Sequence, residues 1–268
     1  MKKAQTESAK GTPPETKGDE AVIEIRNLKK SFGIQAVLKG VSLRLLNREN
    51  LVILGKSGTG KSVLIKCIVR LLDADDGMIK VLGEEVRGLN SDGLGALRKK
   101  IGFLFQSGAL YDSMTVKQNL EFPLRRIKKE LTQKEIEEKI KVALEHVGLS
   151  DSSEKMPSQL SGGMRKRISV ARTIVVDPMI MLYDEPTTGL DPATSDEISA
   201  LINDIQKNLN TSSLIITHDI ECARATADRI ILLEDGEVYQ EGNLESFEKS
   251  EDALISSFFT SPHQQPHL

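Results

Sequence analysis

Eight consecutive residues have the composition needed to hold a phosphate chain. Residues 55–62 read Gly-Lys-Ser-Gly-Thr-Gly-Lys-Ser and match the pattern GxxxxGK[ST] between a short apolar strand and a helix. The glycines let the backbone wrap around phosphates, the second lysine places a positive charge beside them, and the last serine offers magnesium a hydroxyl ligand. We expect the whole loop to bind a nucleotide: Gly55, Lys56, Ser57, Gly58, Thr59, Gly60, Lys61 and Ser62.

Two adjacent carboxylates end another apolar strand. The run Ile180–Tyr183 leads directly into Asp184 and Glu185. Asp184 is suited to hold a magnesium ion, usually through water, and Glu185 to orient and deprotonate an attacking water. An acidic pair after a strand is also common in surface turns. The phosphate loop favours phosphoryl transfer over that alternative.

A second glycine-containing segment precedes a basic helix. Residues 160–164 read Leu-Ser-Gly-Gly-Met, and Arg165, Lys166, Arg167 and Arg172 follow. Glycines at a helix N-terminus form an anion-binding nest. We interpret the cations as the solvated and phosphate-facing side of this helix, because a nucleic-acid patch would carry interleaved aromatic residues.

With these segments in this order, the chain from Ala21 to about Gly242 resembles the nucleotide-binding subunit of ABC transporters. The signature segment ends in Met164, where the commonest family pattern has Gln, and we interpret this as a subfamily mark. The resemblance implies a catalytic set of Glu185, His218 and Lys61 and a metal site of Ser62, Gln106 and Asp184. It also implies the adenine-stacking aromatic (Phe32), the Q-loop glutamine (Gln106), the signature motif (Ser161, Gly162 and Gly163), the D-loop (Asp191) and the switch histidine (His218).

The resemblance further implies ATP and Mg²⁺ as cofactors and a head-to-tail dimer with two ATP molecules at its interface. Each ATP would lie between the phosphate loop of one copy and the signature motif of the other. Because the chain carries one copy of each motif, we expect a homodimer with twofold symmetry.

Four of these residues have plainer alternatives. Phe32 could be a core aromatic, Gln106 an ordinary loop amide, and His218 a buried histidine bonded to a carbonyl. Asp191 is also the expected N-cap of a helix that begins at Pro192, and it can serve both purposes.

The elements that must position these residues alternate between strand and helix. Apolar runs predict strands at 22–25, 37–45, 51–54, 78–81, 179–183 and 214–217, and Asp235-Gly236 predicts a hairpin. Helical patterns cover 63–72, 162–176 and 192–209, and Thr132 with Glu135 fits a capping box. The expected fold is an α/β P-loop NTPase of the ABC ATPase type, with a mixed β-sheet core, an antiparallel β subdomain and a helical subdomain.

The chain divides into three expected parts. Residues 1–20 are polar and are interpreted as a flexible leader, residues 21–243 form the ATPase domain, and residues 244–268 form a C-terminal extension. The helical subdomain covers about 107–165. The extension carries apolar residues that we expect to dock on another surface: Leu254, Ile255, Phe258 and Phe259.

Composition narrows the function classes. Lys plus Arg total 36 against 39 for Asp plus Glu, a net charge of −3, so no global basic field attracts nucleic acid. Two distant cysteines argue against a disulfide framework or zinc site, and no apolar stretch approaches the roughly 20 residues of a membrane span. Composition thus favours a cytoplasmic protein with no nucleic-acid partner, and the resemblance implies that it is peripheral on the cytoplasmic face of the inner membrane.

We expect the energy of ATP hydrolysis to act on a partner, an integral membrane permease that docks near the Q-loop. Residues 105–113 and the Met-ending signature resemble ATPases of the Mla/Mce class, which implies lipid or phospholipid transport with an MCE-domain periplasmic protein and a small STAS-domain subunit. The alternatives are the ATPase of a small-solute importer, for example for amino acids, and a soluble non-transport ABC ATPase. Seven apolar residues around Gln106 could form the docking groove or ordinary core: Ile101, Phe103, Phe105, Leu110, Tyr111, Met114 and Leu120.

Overall fold

The computed structural model describes residues 20–106 and 108–259. Within them the chain alternates between strands and helices, as the sequence predicts. In chain order the elements are β1 (Ala21–Phe32), β2 (Gln35–Leu46), β3 (Asn50–Leu54), α1 (Lys61–Ile68), β4 (Asp76–Val81), β5 (Glu84–Glu85), α2 (Ser91–Arg98), β6 (Ile101–Leu104), α3 (Val116–Ile127), α4 (Gln133–His146), α5 (Gly162–Ile174), β7 (Ile180–Asp184), α6 (Pro192–Leu209), β8 (Ser212–Thr217), α7 (Ile220–Thr226), β9 (Arg229–Glu234), β10 (Glu237–Gly242), α8 (Leu244–Glu248) and α9 (Ala253–Phe259).

A six-stranded sheet forms the centre of the molecule in the order β10-β9-β3-β8-β7-β6. Strands β9, β3, β8, β7 and β6 are parallel, and β10 pairs antiparallel with β9 at one edge. Every residue of β3 is buried, with Val52 and Leu54 in one core cluster and Leu51 and Ile53 in the other. Both faces of the sheet are therefore covered, as parallel sheets require.

A second, antiparallel sheet of order β2-β1-β4-β5 shares one of these core clusters. Strands β1 and β2 pair along their length and each contain 12 residues, so they are longer than the predicted runs 22–25 and 37–45. Cross-strand pairing extends them beyond their apolar residues. The two sheets confirm the expected mixed core and antiparallel portion.

Helix α1 ends earlier than its apolar pattern predicts. Ile68 is its last residue, and Arg70 adopts a left-handed backbone with φ of 51°. The amide of Leu71 donates to the Lys66 carbonyl at 2.8 Å, and that of Arg70 to Cys67 at 3.0 Å. This pair of bonds is a Schellman motif, which normally uses glycine, so the sequence carries no ordinary stop signal here.

Between β6 and α5 the chain forms α3, α4 and two short 3₁₀ turns, at Ser150–Ser152 and Pro157–Gln159. The predicted capping box is present, because the amide of Glu135 donates to the Thr132 hydroxyl and the amide of Thr132 donates to the Glu135 carboxylate. Apolar residues of both helices enter the larger core cluster, so this segment is packed onto the sheet that carries the carboxylates.

The C-terminal extension packs on its own chain in the part that the structure describes. Ile255 is fully buried, and Leu254, Phe258 and Phe259 pack against the larger core cluster. The Phe258 ring centroid lies 5.9 Å from the Lys56 amine, so α9 borders the phosphate loop. Up to residue 259, the extension therefore docks on the rest of its own chain. Residues 260–268, and residues 1–19 of the expected leader, lie outside the described residues.

Neither cysteine takes part in a disulfide, since Cys67 and Cys222 are buried free thiols. Among residues 20–106 and 108–259, no helix combines the length and apolar character that a membrane span requires.

Candidate nucleotide site

The phosphate loop lies between the end of β3 and the start of α1. Gly60 has φ of +102° and precedes the first residue of the helix, and a Cβ there would lie 2.9 Å from Leu38 Cδ2 and 3.0 Å from the Val37 carbonyl. Only glycine fits this position without strain. A helix that begins directly after such a loop offers its first-turn amides to an anion, which is the arrangement predicted for residues 55–62.

Lys61 is folded into this loop. Its Nζ donates to the carbonyls of Gly55 at 2.6 Å and Lys56 at 2.9 Å, and lies 3.7 Å from Glu185 Oε1. Burial lowers the pKa of the amine, while the nearby Glu185 carboxylate raises it in part. The side chain is 5% exposed, so its charge acts in a site from which most water is excluded.

Ser62, in the first turn of α1, contacts Asp184. Asp184 ends β7, and Ser62 Oγ donates to its Oδ1 at 2.9 Å. Burial is the main cause that raises the pKa of Asp184, and the bond from Ser62 opposes it. Gln106 and Asp184 also line one cleft of about 470 Å³ together with Lys66 and Phe105. Gln106 and Asp184 on this cleft, with the Ser62 hydroxyl bonded to Asp184, offer hard oxygen ligands, and the predicted metal residues fit Mg²⁺.

Glu185 is held in an unusual backbone conformation. Its φ is 53°, a left-handed value that costs a non-glycine residue about 1–2 kcal/mol. His218 Nδ1 lies 2.7 Å from Glu185 Oε2, and the Thr188 hydroxyl donates to the same oxygen at 3.1 Å. These contacts fix the direction of the carboxylate. Because β7 and β8 are neighbouring parallel strands, His218 follows β8 at the edge where Glu185 follows β7.

Asp191 and the signature segment lie together at the starts of α6 and α5. Asp191 caps α6 by accepting from the amide and hydroxyl of Thr194, and Ser161 caps α5 by accepting from the Met164 amide. A Cβ on Gly163 would lie 2.6 Å from Thr194 Cγ2, so the two helix starts are in contact. Ser161 and Asp191 are exposed, and none of their described contacts reaches residues 55–62. The chain thus brings the predicted residues together as two separate groups.

A family model described as "ABC transporter" matches residues 38–188, which include the phosphate loop, Gln106, the signature segment and the carboxylate pair. The chain belongs to the ABC transporter family. Its cassette is an ABC-type ATPase domain that uses ATP and Mg²⁺.

Curated relatives of this ABC cassette include proteins of two kinds. The methionine import ATP-binding protein MetN of Brucella abortus is 38% identical over 230 residues, which cover 86% of this chain and 61% of that protein. This chain thus spans about three-fifths of the length of that relative. The chloroplastic protein TRIGALACTOSYLDIACYLGLYCEROL 3 of Arabidopsis thaliana is 35% identical over 264 residues, covering 92% of this chain and 76% of that protein.

Solved structures share the fold. The bacterial ABC transporter cassette MJ0796, solved as a dimer, has a TM-score of 0.76 and 32% identity and covers 83% of this chain and 98% of its own. The same cassette has been solved in a post-hydrolysis state bound to ADP and Pi, with a TM-score of 0.75. CbiO1 of Clostridium perfringens, part of the cbiONQ transporter complex, has a TM-score of 0.80 and 28% identity, covering 91% and 96%.

The exposure and contacts of Phe32, His218 and Gln106 in this ABC cassette bear on the plainer alternatives for these residues. Phe32 ends β1 and is 48% exposed, so it is no core aromatic and is available for stacking. The His218 side chain is 53% exposed and contacts a carboxylate, which contradicts the alternative of a buried histidine on a carbonyl. The Gln106 residue is exposed at the cleft, and its carbonyl accepts from Lys166.

Lys166 departs from the sequence interpretation. The sequence predicts that the basic run 165–172 is solvated or phosphate-facing, yet Lys166 is 7% exposed and contacts the carbonyls of Gln106 and Glu185. Helical spacing supplies the reason, because Lys166 shares a face of α5 with buried Ser169 and Val170, three and four residues later. That spacing was the signal that could have identified it.

Proposed function

We propose that this chain is the ATPase subunit of an ABC transporter, in which ATP-driven closure of a homodimer moves substrate through a partner permease. The observation that carries the proposal is the division of the site into two groups. The phosphate loop, Asp184 and Glu185 form one group, and the exposed cap at Ser161 lies in the other. A second copy arranged head to tail supplies the missing signature segment to each site.

ATP and Mg²⁺ supply the phosphoryl group and its charge neutralisation when bound. In the proposed assignment Lys61 and the first amides of α1 bind phosphate oxygens, and Ser62, Asp184 and Gln106 hold the metal. The Glu185 carboxylate accepts a proton from the attacking water, and His218 and Thr188 keep it oriented. Phe32 stacks on the base at the open end of β1.

The permease is proposed to dock beside the Q-loop. Of the seven apolar residues considered there, Ile101 and Leu120 are buried core, so they cannot line a surface groove. Tyr111 is 41% exposed and packs against Phe122, with ring centroids 5.1 Å apart. Tyr111 follows Gln106 by five residues in the chain, so a permease docked here would contact the segment that carries Gln106. The docked complex would lie on the cytoplasmic face of the inner membrane.

The comparisons give the small-solute alternative more support than lipid transport. Methionine import proteins from several bacteria are 37–38% identical to this chain over most of its length. On this basis an amino acid is the first substrate candidate, and import the first candidate for direction.

Lipid transport remains a second candidate because of one specific observation. The Arabidopsis relative, which is named after a galactolipid, aligns over 92% of this chain and 76% of its own length. The resemblance of segment 105–113 and the Met-ending signature to Mla/Mce ATPases also favours lipid transport. In this case the permease would be joined by an MCE-domain periplasmic protein and a small STAS-domain subunit.

Copurification from detergent-solubilised membranes, with an affinity tag on this chain, tests the proposal. We expect an integral membrane permease to be recovered with the tagged chain. The complex is then assayed for ATP hydrolysis with added methionine and with added phospholipid, and bound lipids are identified by mass spectrometry. Stimulation by methionine supports the small-solute candidate, and bound phospholipid with stimulation by phospholipid supports the lipid candidate. Recovery of the chain without any permease would overturn the transporter assignment and favour a soluble ABC ATPase.

A further inference from the structure

Four charged side chains are buried around the hydrolytic site, and one of them has no assigned role. Asp184 and Glu185 are 6% and 8% exposed, and Lys61 and Lys166 are 5% and 7% exposed. The two ammonium groups balance the two carboxylates. Lys61 belongs to the phosphate loop, whereas Lys166 belongs to α5, the helix that begins at the signature segment.

The Lys166 amine joins three segments of the chain. Its Nζ donates to the Gln106 carbonyl at 3.2 Å and to the Glu185 carbonyl at 3.4 Å. These bonds tie α5 to the Q-loop on one side and to the end of β7 on the other. Burial lowers the pKa of Lys166, and the nearby carboxylates of Asp184 and Glu185 oppose that effect.

The Glu185 backbone is the kind of structure that needs such support. A non-glycine residue keeps a left-handed backbone only where surrounding contacts hold that conformation. Here the Glu185 amide donates to the Ile216 carbonyl at 2.9 Å. The Glu185 carbonyl in turn accepts from Lys166 and from the Thr188 amide at 3.4 Å. Loss of the lysine releases one side of this turn, and the carboxylate moves with its backbone.

We propose that Lys166 is a positioning residue for hydrolysis, whose ammonium group fixes the backbones of Gln106 and Glu185 to the signature helix. Movement of α5 then changes the position of the Glu185 carboxylate. In the homodimer, where α5 meets the ATP bound to the other copy, Lys166 conveys closure at one site to the hydrolytic residue of the other. This last step rests on the proposed function, and the local role of Lys166 does not.

The test measures kcat and ATP affinity for variants of the purified full-length chain. Lys166→Met keeps the length of the side chain and removes its donors, and we expect kcat to fall about 10- to 100-fold with the Kd for ATP within about twofold. Lys166→Gln and Lys166→Arg restore donors, and at least one should recover much of the lost rate. Lys207→Met, which removes an exposed lysine from α6, is the matched control and should retain the wild-type rate.

Two results would overturn the proposal. One is a Lys166→Met rate within twofold of wild type. The other is a set of Gln and Arg variants that fold, by their melting transitions, but are no better than the Met variant. If the Met variant does not fold, Lys166→Ala replaces it as the variant without donors and is judged by the same split between kcat and Kd.

A double-mutant comparison shows whether Lys166 acts through Glu185. In a Glu185→Gln background, Lys166→Met should lower the residual hydrolysis by less than about twofold, because the group that it positions is already lost. An equal fold reduction in both backgrounds would contradict the positioning role. These measurements need no permease, so they stand or fall separately from the transporter assignment.

Discussion

Replacement of Glu185 by Gln should lower kcat for ATP hydrolysis by about 10²- to 10⁴-fold, the range expected for a lost general base. The amide is isosteric and can still accept a hydrogen bond from Thr188, but it cannot take a proton from water. ATP affinity should stay within about twofold of wild type, because the phosphate contacts of Lys61 and the loop are unchanged. Phosphate release and equilibrium ATP binding measure the two quantities separately.

The matched control is Glu237→Gln, which neutralises an exposed carboxylate on β10 and should leave both quantities unchanged. A Glu185→Gln chain that hydrolyses ATP at the wild-type rate would show that this carboxylate is not the base. Equal losses of affinity and rate would show that it acts in binding instead.

Replacement of Lys61 by Ala should raise the Kd for ATP by about 100-fold, equivalent to about 2.8 kcal/mol. The buried amine already lies beside the loop carbonyls of Gly55 and Lys56, so binding needs only a small movement of its charge toward phosphate. Titration with a fluorescent ATP analogue measures the change, and Lys207→Ala serves as the surface control. Unchanged affinity would contradict the phosphate-loop assignment.

The parts of the site that sequence alone predicts are local in the chain. Gly60 needs a left-handed backbone, and Lys61 and Ser62 begin a helix directly after it, so pattern and structure coincide within a few residues. Strand ends are nearly as informative. Glu185 and His218 follow adjacent parallel strands, although no pattern showed that His218 Nδ1 would lie 2.7 Å from Glu185 Oε2.

The parts that sequence does not predict depend on tertiary packing. The spacing of Lys166 to the buried Ser169 and Val170 places it on the buried face of α5, but only tertiary packing brings its amine to the carbonyls of Gln106 and Glu185. Arg70, two residues after the end of α1, adopts a backbone conformation that is usual for glycine. Its side chain donates to the Leu89 carbonyl and the Asp73 carboxylate, and these bonds hold it there. The contact of Phe258 with Lys56 likewise joins residues 202 positions apart in the chain.

Completion of each nucleotide site by the signature segment of a second copy is tested most directly by Ser161→Asp. Aspartate is as good an N-cap as serine, so α5 keeps its start, but the new charge faces the expected γ-phosphate. The comparison is made by sedimentation velocity with Mg-ATP, in the Glu185→Gln background. The chain that retains Ser161 should have the mass of two 29.5 kDa chains, and the S161D variant the mass of one, with equal ATP bound per chain. A two-chain mass for the S161D variant, or a one-chain mass for ATP-bound Glu185→Gln alone, would contradict the composite site.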